Sequence, residues 1–328
     1  MSIRLWAKGI CMPKKVLFFG DFGVDDVFAL LYANFKEDIE VLGVVTGYGN
    51  IPRENAEQNA LFLRALTKAE GKLAIIQGAY HPYTGKYPDY FPEIHGEFGL
   101  GPWEPDTQSI QDYTIESYEK AIDLIIKNQN DITIVNVGRL SSLATLFVIY
   151  PDISDLVNDI YIMGGAFFTP GNVTPVAEAN FYGDPYATNL VMTLAENVKI
   201  FPLNVTNQAI LTKDMVGYMV KNCKDEEIGN ILNPMFDYYF AFYQKKSSVQ
   251  IKGVPIHDLL PFWAMMNGNE VKYQEAPIKV VTDEGIAFGQ SIADFRQIKD
   301  KEDYPIHKIA YQFDYSAYAN DVMNSFTC

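Results

Sequence analysis

Val16-Leu17-Phe18-Phe19-Gly20-Asp21-Phe22-Gly23-Val24-Asp25-Asp26 runs directly into Val27-Phe28-Ala29-Leu30-Leu31-Tyr32-Ala33, and the fold is decided by how this stretch is read. The apolar residues 16–19 predict a buried strand of a parallel sheet. The Gly-containing segment predicts a turn, and the second apolar run a helix that opens on two carboxylates. Open α/β sheets bind ligands at the carboxyl ends of their strands, where this turn falls. Asp21, Asp25 and Asp26 lie within six residues and repel one another. They stay ionised together where a divalent cation offsets the repulsion, and hard oxygen ligands suit Ca²⁺ or Mg²⁺. The same two acids at a helix start also cap amides and complement the helix dipole with no metal present. The stretch alone leaves both readings open.

Outward from it, apolar runs at 40–45, 73–76, 132–137, 160–163 and 198–203 predict further strands. Helical patterns at 54–67 and 115–127, and another after Gly138-Arg139-Leu140-Ser141-Ser142, alternate with them. Short strands alternating with helices make a βαβ series and a mainly parallel sheet. Between them, residues 78–112 form a long loop rich in Pro, Gly and aromatics, expected to be an ordered active-site loop. A second loop covers 166–184. Past residue 205 the pattern changes to helices over 212–245 and 259–266, then strands at 276–281, 286–290 and 307–313 and a last helix at 317–325. The expected architecture is α/β: a Rossmann-like open, mainly parallel sheet flanked by helices, with a helical subregion near residues 212–266. No repeat or linker divides it, so residues 14–328 read as a single domain and 1–13 as a peripheral extension. Met12-Pro13-Lys14-Lys15 offers a second possible start.

Composition narrows the function classes. The formal net charge is −15, which argues against nucleic-acid binding and against docking on an anionic membrane. Cys11, Cys223 and Cys328 are odd in number and far apart. They form neither a disulfide framework nor a metal-ligand spacing, and they fit a reducing cytoplasm. No apolar run reaches transmembrane length, and residues 1–11 lack the apolar centre of a signal peptide.

The polar residues gather at strand ends and loops. Asp21, Asp25 and Asp26 come first, then Asn50, then Gly171-Asn172 and Ala177-Glu178-Ala179-Asn180, and finally His257-Asp258. Four Asp, one Glu, three Asn and a His suit a cation together with a polyhydroxylated ligand. In this order the residues resemble the inosine–uridine preferring nucleoside hydrolase family, from about residue 14 to 315. That family opens Asp-x-Asp-Pro-Gly-x-Asp-Asp after a strand; here the segment is Phe19-Gly20-Asp21-Phe22-Gly23-Val24-Asp25-Asp26. The match continues through Asn50, His95-Gly96-Glu97-Phe98-Gly99-Leu100-Gly101, Gly138-Arg139-Leu140-Ser141-Ser142, Met163-Gly164-Gly165 and Asp184-Pro185. Each motif is weak alone; the ordered series is specific.

The resemblance implies a bound Ca²⁺ held by Asp21, Asp26, Asp258 and the backbone carbonyl of Val137. It also implies that Asp21 is the base that deprotonates a calcium-bound water. Asp25, Asn50, Asn172, Glu178 and Asn180 would hold the ribose hydroxyls. His257 would donate a proton to the departing base, and His95 would lie near the base. Such a protein would hydrolyse ribonucleosides and assemble as a homodimer or homotetramer. The chemistry is coherent: N-glycosidic cleavage needs a held sugar, an activated water on the far face and a proton donor at the leaving base.

Three positions depart from the family pattern. Phe19 replaces its first Asp, expected to weaken metal affinity through the surrounding shell. Phe22 replaces Pro, which leaves the turn less fixed in φ. Arg139-Leu140-Ser141-Ser142 replaces Pro-Leu-Thr-Asn and would alter the wall beside Val137. The bland readings stand beside these. Asp258 could be only an N-cap, His257 a core histidine and His95 a loop-packing residue. His81, His307 and Trp263 read as structural. Most of the aromatic run 236–243 reads as core, with Tyr239 and Tyr243, four apart on one helical face, the pair expected to contact the base. Two other functions compete. One is a catalytically weak nucleoside or ribose binder. The other is a phosphotransferase of the haloacid dehalogenase type, disfavoured because Phe19 stands where that chemistry needs a nucleophilic Asp.

Overall fold

The computed structural model describes residues 12–107, 110–196, 198–296 and 304–327; the peripheral extension expected at 1–13 lies outside it up to residue 11. The strands are β1 (Lys14–Gly20), β2 (Ile39–Thr46), β3 (Ala74–Gln77), β4 (Ile132–Asn136), β5 (Asp159–Met163), β6 (Lys199–Phe201), β7 (Ile210–Thr212), β8 (Gly253–Pro255), β9 (Val271–Val280), β10 (Ser291–Ala293) and β11 (Ile306–Phe313). Nine of them form one sheet in the order β10-β9-β11-β6-β5-β4-β1-β2-β3. Pairing is parallel from β3 through to β11, and β9 and β10 add an antiparallel edge. The mainly parallel sheet with flanking helices is therefore as expected.

β1 shows why. Its residues Val16 and Phe18 join one apolar cluster while Leu17 and Phe19 join the cluster on the other face. A strand covered on both sides by helices reads as a continuous apolar run rather than an alternation. β1 pairs with β2 on one side and β4 on the other, so the strand order reverses there. A crevice opens at such a switch point, just beyond the strand ends. The segments that follow β1 and β4 carry Asp21 and Val137-Gly138-Arg139 to its mouth.

The helical subregion contains helices Lys213–Asn222, Glu226–Lys246 and Leu259–Met266. It also contains a small antiparallel pair, β7 with β8, that the helical reading of 212–245 did not anticipate. Each is three residues long and, unlike the equally short β6, lies in no longer apolar run that would mark it. The strand expected at 286–290 is instead a turn, with Gly285 at φ 153° and Gly289 at φ 77°; the edge strand begins at Ser291. The loop after β3 contains a short helix, Pro92–His95, that reaches across the crevice to the helix Glu226–Lys246, where the Tyr238 hydroxyl donates to the Pro92 carbonyl at 2.9 Å. Among the described residues, no helix is long and apolar enough to cross a membrane.

Candidate active site

The turn after β1 is closed by its own acid. Asp26 accepts the backbone N–H groups of Asp21 at 3.1 Å and Gly23 at 2.9 Å. Phe22 sits at φ 48°, in the left-handed region, and its carbonyl accepts from the Asn59 side chain at 3.1 Å. Proline, locked near −65°, cannot adopt that conformation. The turn is therefore differently shaped from one built on Asp-Pro-Gly, rather than merely looser. The other departure, Phe19, is packed among Leu17, Val45 and Ile134 in an apolar cluster and is 1% exposed, with no polar function left at that position.

Asp21 is enclosed. Its Oδ2 accepts the Asn50 backbone N–H at 2.9 Å and the Arg139 Nη1 at 3.2 Å; its Oδ1 accepts the Asn50 side-chain amide at 3.0 Å. The backbone at Gly49 passes so close that an added Cβ would stand 1.7 Å from Asp21 Oδ2. Arg139 also donates from Nη1 to Asn180 Oδ1 at 2.6 Å, and Asn180 Nδ2 donates to the Val137 carbonyl at 2.6 Å. Glu178 caps the helix Ala179–Gly183, accepting from Asn180 N at 2.7 Å and Phe181 N at 3.1 Å, and also takes the Gly165 N–H at 2.9 Å. Asn172, at the rim, accepts the Ala179 N–H at 2.9 Å.

The carboxylates that converge are Asp25, Asp26 and Asp258, with an oxygen of each within 4.8 Å of the others and all three buried. The expected set named Asp21 where the structure brings in Asp25. Asp258 starts the helix Leu259–Met266 without making a side-chain capping bond, so the plain N-cap reading fails for it. Asp25 Oδ1 is buried with no hydrogen-bond partner. Burial, then the charge of Asp21, pushes the Asp25 pKa up to about 7. Burial and the neighbouring acids push Asp26 and Asp258 well above the carboxylate range. Burial also raises Asp21, with Arg139 opposing it. An oxygen-only, charge-crowded set with an orphaned acceptor fits a hard divalent cation, which would restore the ionised forms.

The far end of the pocket is aromatic. Tyr239 and Tyr243 lie one turn apart on the helix Glu226–Lys246, their hydroxyls 3.2 Å apart, and the Tyr243 hydroxyl is 3.5 Å from His257 Nε2. His257 Nδ1 is 2.9 Å from the Thr206 hydroxyl. His95 Nδ1 accepts the Val24 N–H at 3.1 Å, so its neutral ring carries the proton on Nε2; its ring centroid is 5.7 Å from that of Tyr239. Burial lowers His95 to about 3 and His257 to about 4, so both are neutral near pH 7.

One pocket gathers Asp25, Asn50, His95, Val137, Asn172, Glu178, Asn180, Tyr239, Tyr243, His257 and Asp258 on its walls. Asp21 and Asp26, 1% and 0% exposed, lie behind them. Phe91, Ile94 and Phe242 also line it, and their contribution was not read from the sequence; Arg139 lines it too, on the wall beside Val137 where the departure from the family pattern placed it. His307 and Trp263 are core residues, as expected.

Comparison with known proteins follows the same lines. The family profile of the inosine–uridine preferring nucleoside hydrolases matches residues 16–320. Uridine nucleosidase 1 of Arabidopsis thaliana is 30% identical over 281 residues, 86% of this chain and 82% of that protein. The solved structure of a plant nucleoside hydrolase superposes with a TM-score of 0.87 at 27% identity, covering 96% of this chain and 99% of the other. A purine-preferring ribonucleoside hydrolase from Gardnerella vaginalis gives 0.85 at 27% identity, covering 96% and 98%.

Proposed function

Because this chain belongs to the inosine–uridine preferring nucleoside hydrolase family, we propose that it hydrolyses the N-glycosidic bond of ribonucleosides, releasing ribose and the free base. The observation that carries this reading is a pocket lined by Asp25 and Asp258, with Asp26 converging on them from behind its wall, by the polar Asn50, Asn172, Glu178 and Asn180, and by the aromatic, histidine-bearing group of His95, Tyr239, Tyr243 and His257. The polar end suits ribose hydroxyls, and the aromatic end suits a planar base.

In this reading the cation is Ca²⁺, held from the carboxylate cluster; when bound it offsets the acids' charge and acidifies a nearby water. Asp25, Asn50, Asn172, Glu178 and Asn180 orient the sugar. Asp21, held by Asn50 and Arg139 beside Asp26, accepts the water's proton. The hydroxide attacks C1′ while the glycosidic electron pair leaves with the base, through an oxocarbenium-like transition state. With the Thr206 hydroxyl donating to Nδ1, neutral His257 presents Nε2–H as a hydrogen bond that stabilises the charge on the departing base, beside the Tyr243 hydroxyl, and the base then takes up a proton from water. Tyr239 and His95 pack against the base. By the same reading the chain acts in the cytoplasm as a homodimer or homotetramer, which light scattering on the purified protein tests.

The Arg139–Asp21 ion pair favours a second reading, a nucleoside binder with slow turnover, because it engages the proposed base. One experiment separates the two. Inosine, uridine, adenosine, guanosine and cytidine are assayed for released reducing sugar, with and without a calcium chelator, alongside calorimetric binding. Turnover lost in chelator and restored by calcium supports the hydrolase. Binding without turnover supports the binder, and neither would overturn both. Elemental analysis of active protein that finds no divalent metal would remove Ca²⁺ from the proposal.

A further inference from the structure

We propose that a second cavity, beside the nucleoside pocket and floored by Arg139, binds a phosphate-type oxyanion, either a free ion or a phosphate carried on the ribose. The site stands on the cavity's own residues; only its link to turnover rests on the nucleoside hydrolase reading.

The cavity has a volume of about 340 Å³ and adjoins the nucleoside pocket, with Phe91, Arg139, Val173 and Ala179 lining both. Val173 follows Asn172 in the chain and Ala179 follows Glu178. The shared wall therefore lies next to residues proposed to hold the ribose.

Arg139 supplies the donors. Its Nη1 is spent on Asp21 Oδ2 at 3.2 Å and Asn180 Oδ1 at 2.6 Å. Among the described residues, Nε and Nη2 have no hydrogen-bond partner, although the side chain is only 8% exposed. Nε lies over Gly183, which lines the cavity, and a Cβ there would stand 2.7 Å from it. The absence of a side chain at 183 leaves that edge of the guanidinium uncovered. The Nε–Nη2 edge presents parallel N–H groups, the geometry that takes two oxygens of one phosphate or carboxylate. The Nη1 bonds hold its plane, with the Phe91 ring centre 5.9 Å from the guanidinium carbon.

Lys86 is the other cation on the lining, and Glu284 holds it at 2.6 Å. Both side chains are exposed, so this pair reopens at little cost. The acids on the lining are Glu284 and Asp89, both exposed and screened by solvent. Asp21, behind Arg139, offsets part of its charge, so directed N–H groups and Lys86 together recruit the ion. A phosphate offers two oxygens to the guanidinium edge and a third to Lys86, where a carboxylate has only two.

The test is calorimetric titration of inorganic phosphate into the protein as purified, with thermal melting to confirm folding. Phosphate is expected to bind. Lys86→Glu is expected to weaken Kd about tenfold, and Glu284→Gln, which frees Lys86, to tighten it about threefold. Arg139→Lys keeps the charge but loses the fork, and is expected to weaken Kd about tenfold or more. If that variant does not fold, the two exposed positions carry the test. A second arm compares hypoxanthine release from inosine 5′-monophosphate and from inosine. A ribose phosphate as occupant predicts nucleotide turnover whose kcat/KM falls about tenfold in Lys86→Glu while inosine turnover is unchanged. A free ion as occupant predicts phosphate binding and inosine turnover with no turnover of the nucleotide. Neither phosphate binding nor nucleotide turnover would overturn the proposal. So would phosphate binding that Lys86→Glu and Glu284→Gln leave unchanged, the behaviour of an ion held by the metal. Phosphate binding with the expected shifts, in a protein that turns over neither inosine nor its phosphate, would count against the hydrolase reading alone.

Discussion

Gly49→Ala is a one-methyl change that acts on Asp21 through space. The added Cβ would stand 1.7 Å from Asp21 Oδ2 and 2.6 Å from Cγ, so the carboxylate must rotate away. Rotation breaks its bonds to Asn50 N, Asn50 Nδ2 and Arg139 Nη1. Hydrogen bonds to a charged group contribute about 1.5–3 kcal/mol each, so the three together set an upper bound of about 5–9 kcal/mol. Asn50 and Arg139 face the pocket and regain water, so a net loss of about 3–5 kcal/mol is expected. Urea unfolding followed by tryptophan fluorescence measures it. Asp21→Ala removes the two closest contacts and leaves only the 2.9 Å approach to its own Cβ. Gly49→Ala added to Asp21→Ala should therefore cost only about 1 kcal/mol, giving a coupling of about 2–4 kcal/mol. A Gly49→Ala protein with native stability and turnover would refute the reasoning, as would strictly additive effects in the cycle.

Asp21→Asn should lower kcat by about 10²–10⁴-fold, the usual scale of general-base catalysis, with the fold retained. Near-native turnover would transfer the base role to Asp25. His257→Ala should lower kcat for inosine by about 10²-fold or more yet leave p-nitrophenyl riboside, whose leaving group needs no proton, almost unaffected. Equal losses would show that His257 positions the sugar or the metal. His307→Gln concerns stability. Its Nε2 donates to the Met192 carbonyl at 2.8 Å, its Nδ1 has no partner, and burial lowers its pKa. The unfolded chain then takes up a proton below about pH 6.5 that the folded chain refuses, so stability falls as pH falls. Gln keeps an N–H donor without titrating, and Tm should drop less between pH 7.5 and 5.5 than in the native protein. An unchanged slope would remove His307 from the account of acid sensitivity.

The strand–turn–helix at residues 16–33 was legible because burial on both faces makes a parallel strand a plain apolar run. Asp21, Asp25 and Asp26 were legible as a crowded acid cluster, which the stretch alone could not tell from a capped helix start; Asp258 joined them only through the family resemblance, which gave Asp25 to the ribose rather than the metal. What could not be read was direction. Whether Asp21 faces a cation or a guanidinium depends on the path of Arg139, which is set by Gly183 and Asn180, more than forty residues away in sequence. Phe22 was read as a looser turn because the substitution removes a constraint; the left-handed φ appears only once Asn59 and the Phe18 ring hold it, the rings 5.8 Å apart. β7, β8 and β10 were missed because each is short and lies outside any longer apolar run, whereas β6, equally short, sits within the apolar stretch 198–203.

The two ends of the pocket come from different parts of the chain. Asp21, Asn50, Val137 and Asn180 ride on segments after the sheet's strands, while Tyr239, Phe242 and Tyr243 ride on one long helix whose near neighbour in sequence is Lys213–Asn222. On the proposed reading, base preference and sugar chemistry would be inherited separately. On that reading, drift along one face of that helix would retune which nucleobase is accepted while the acids behind Asn50 stay as they are. A variant library at Phe242 would test this while leaving the Tyr239–Tyr243–His257 contacts in place.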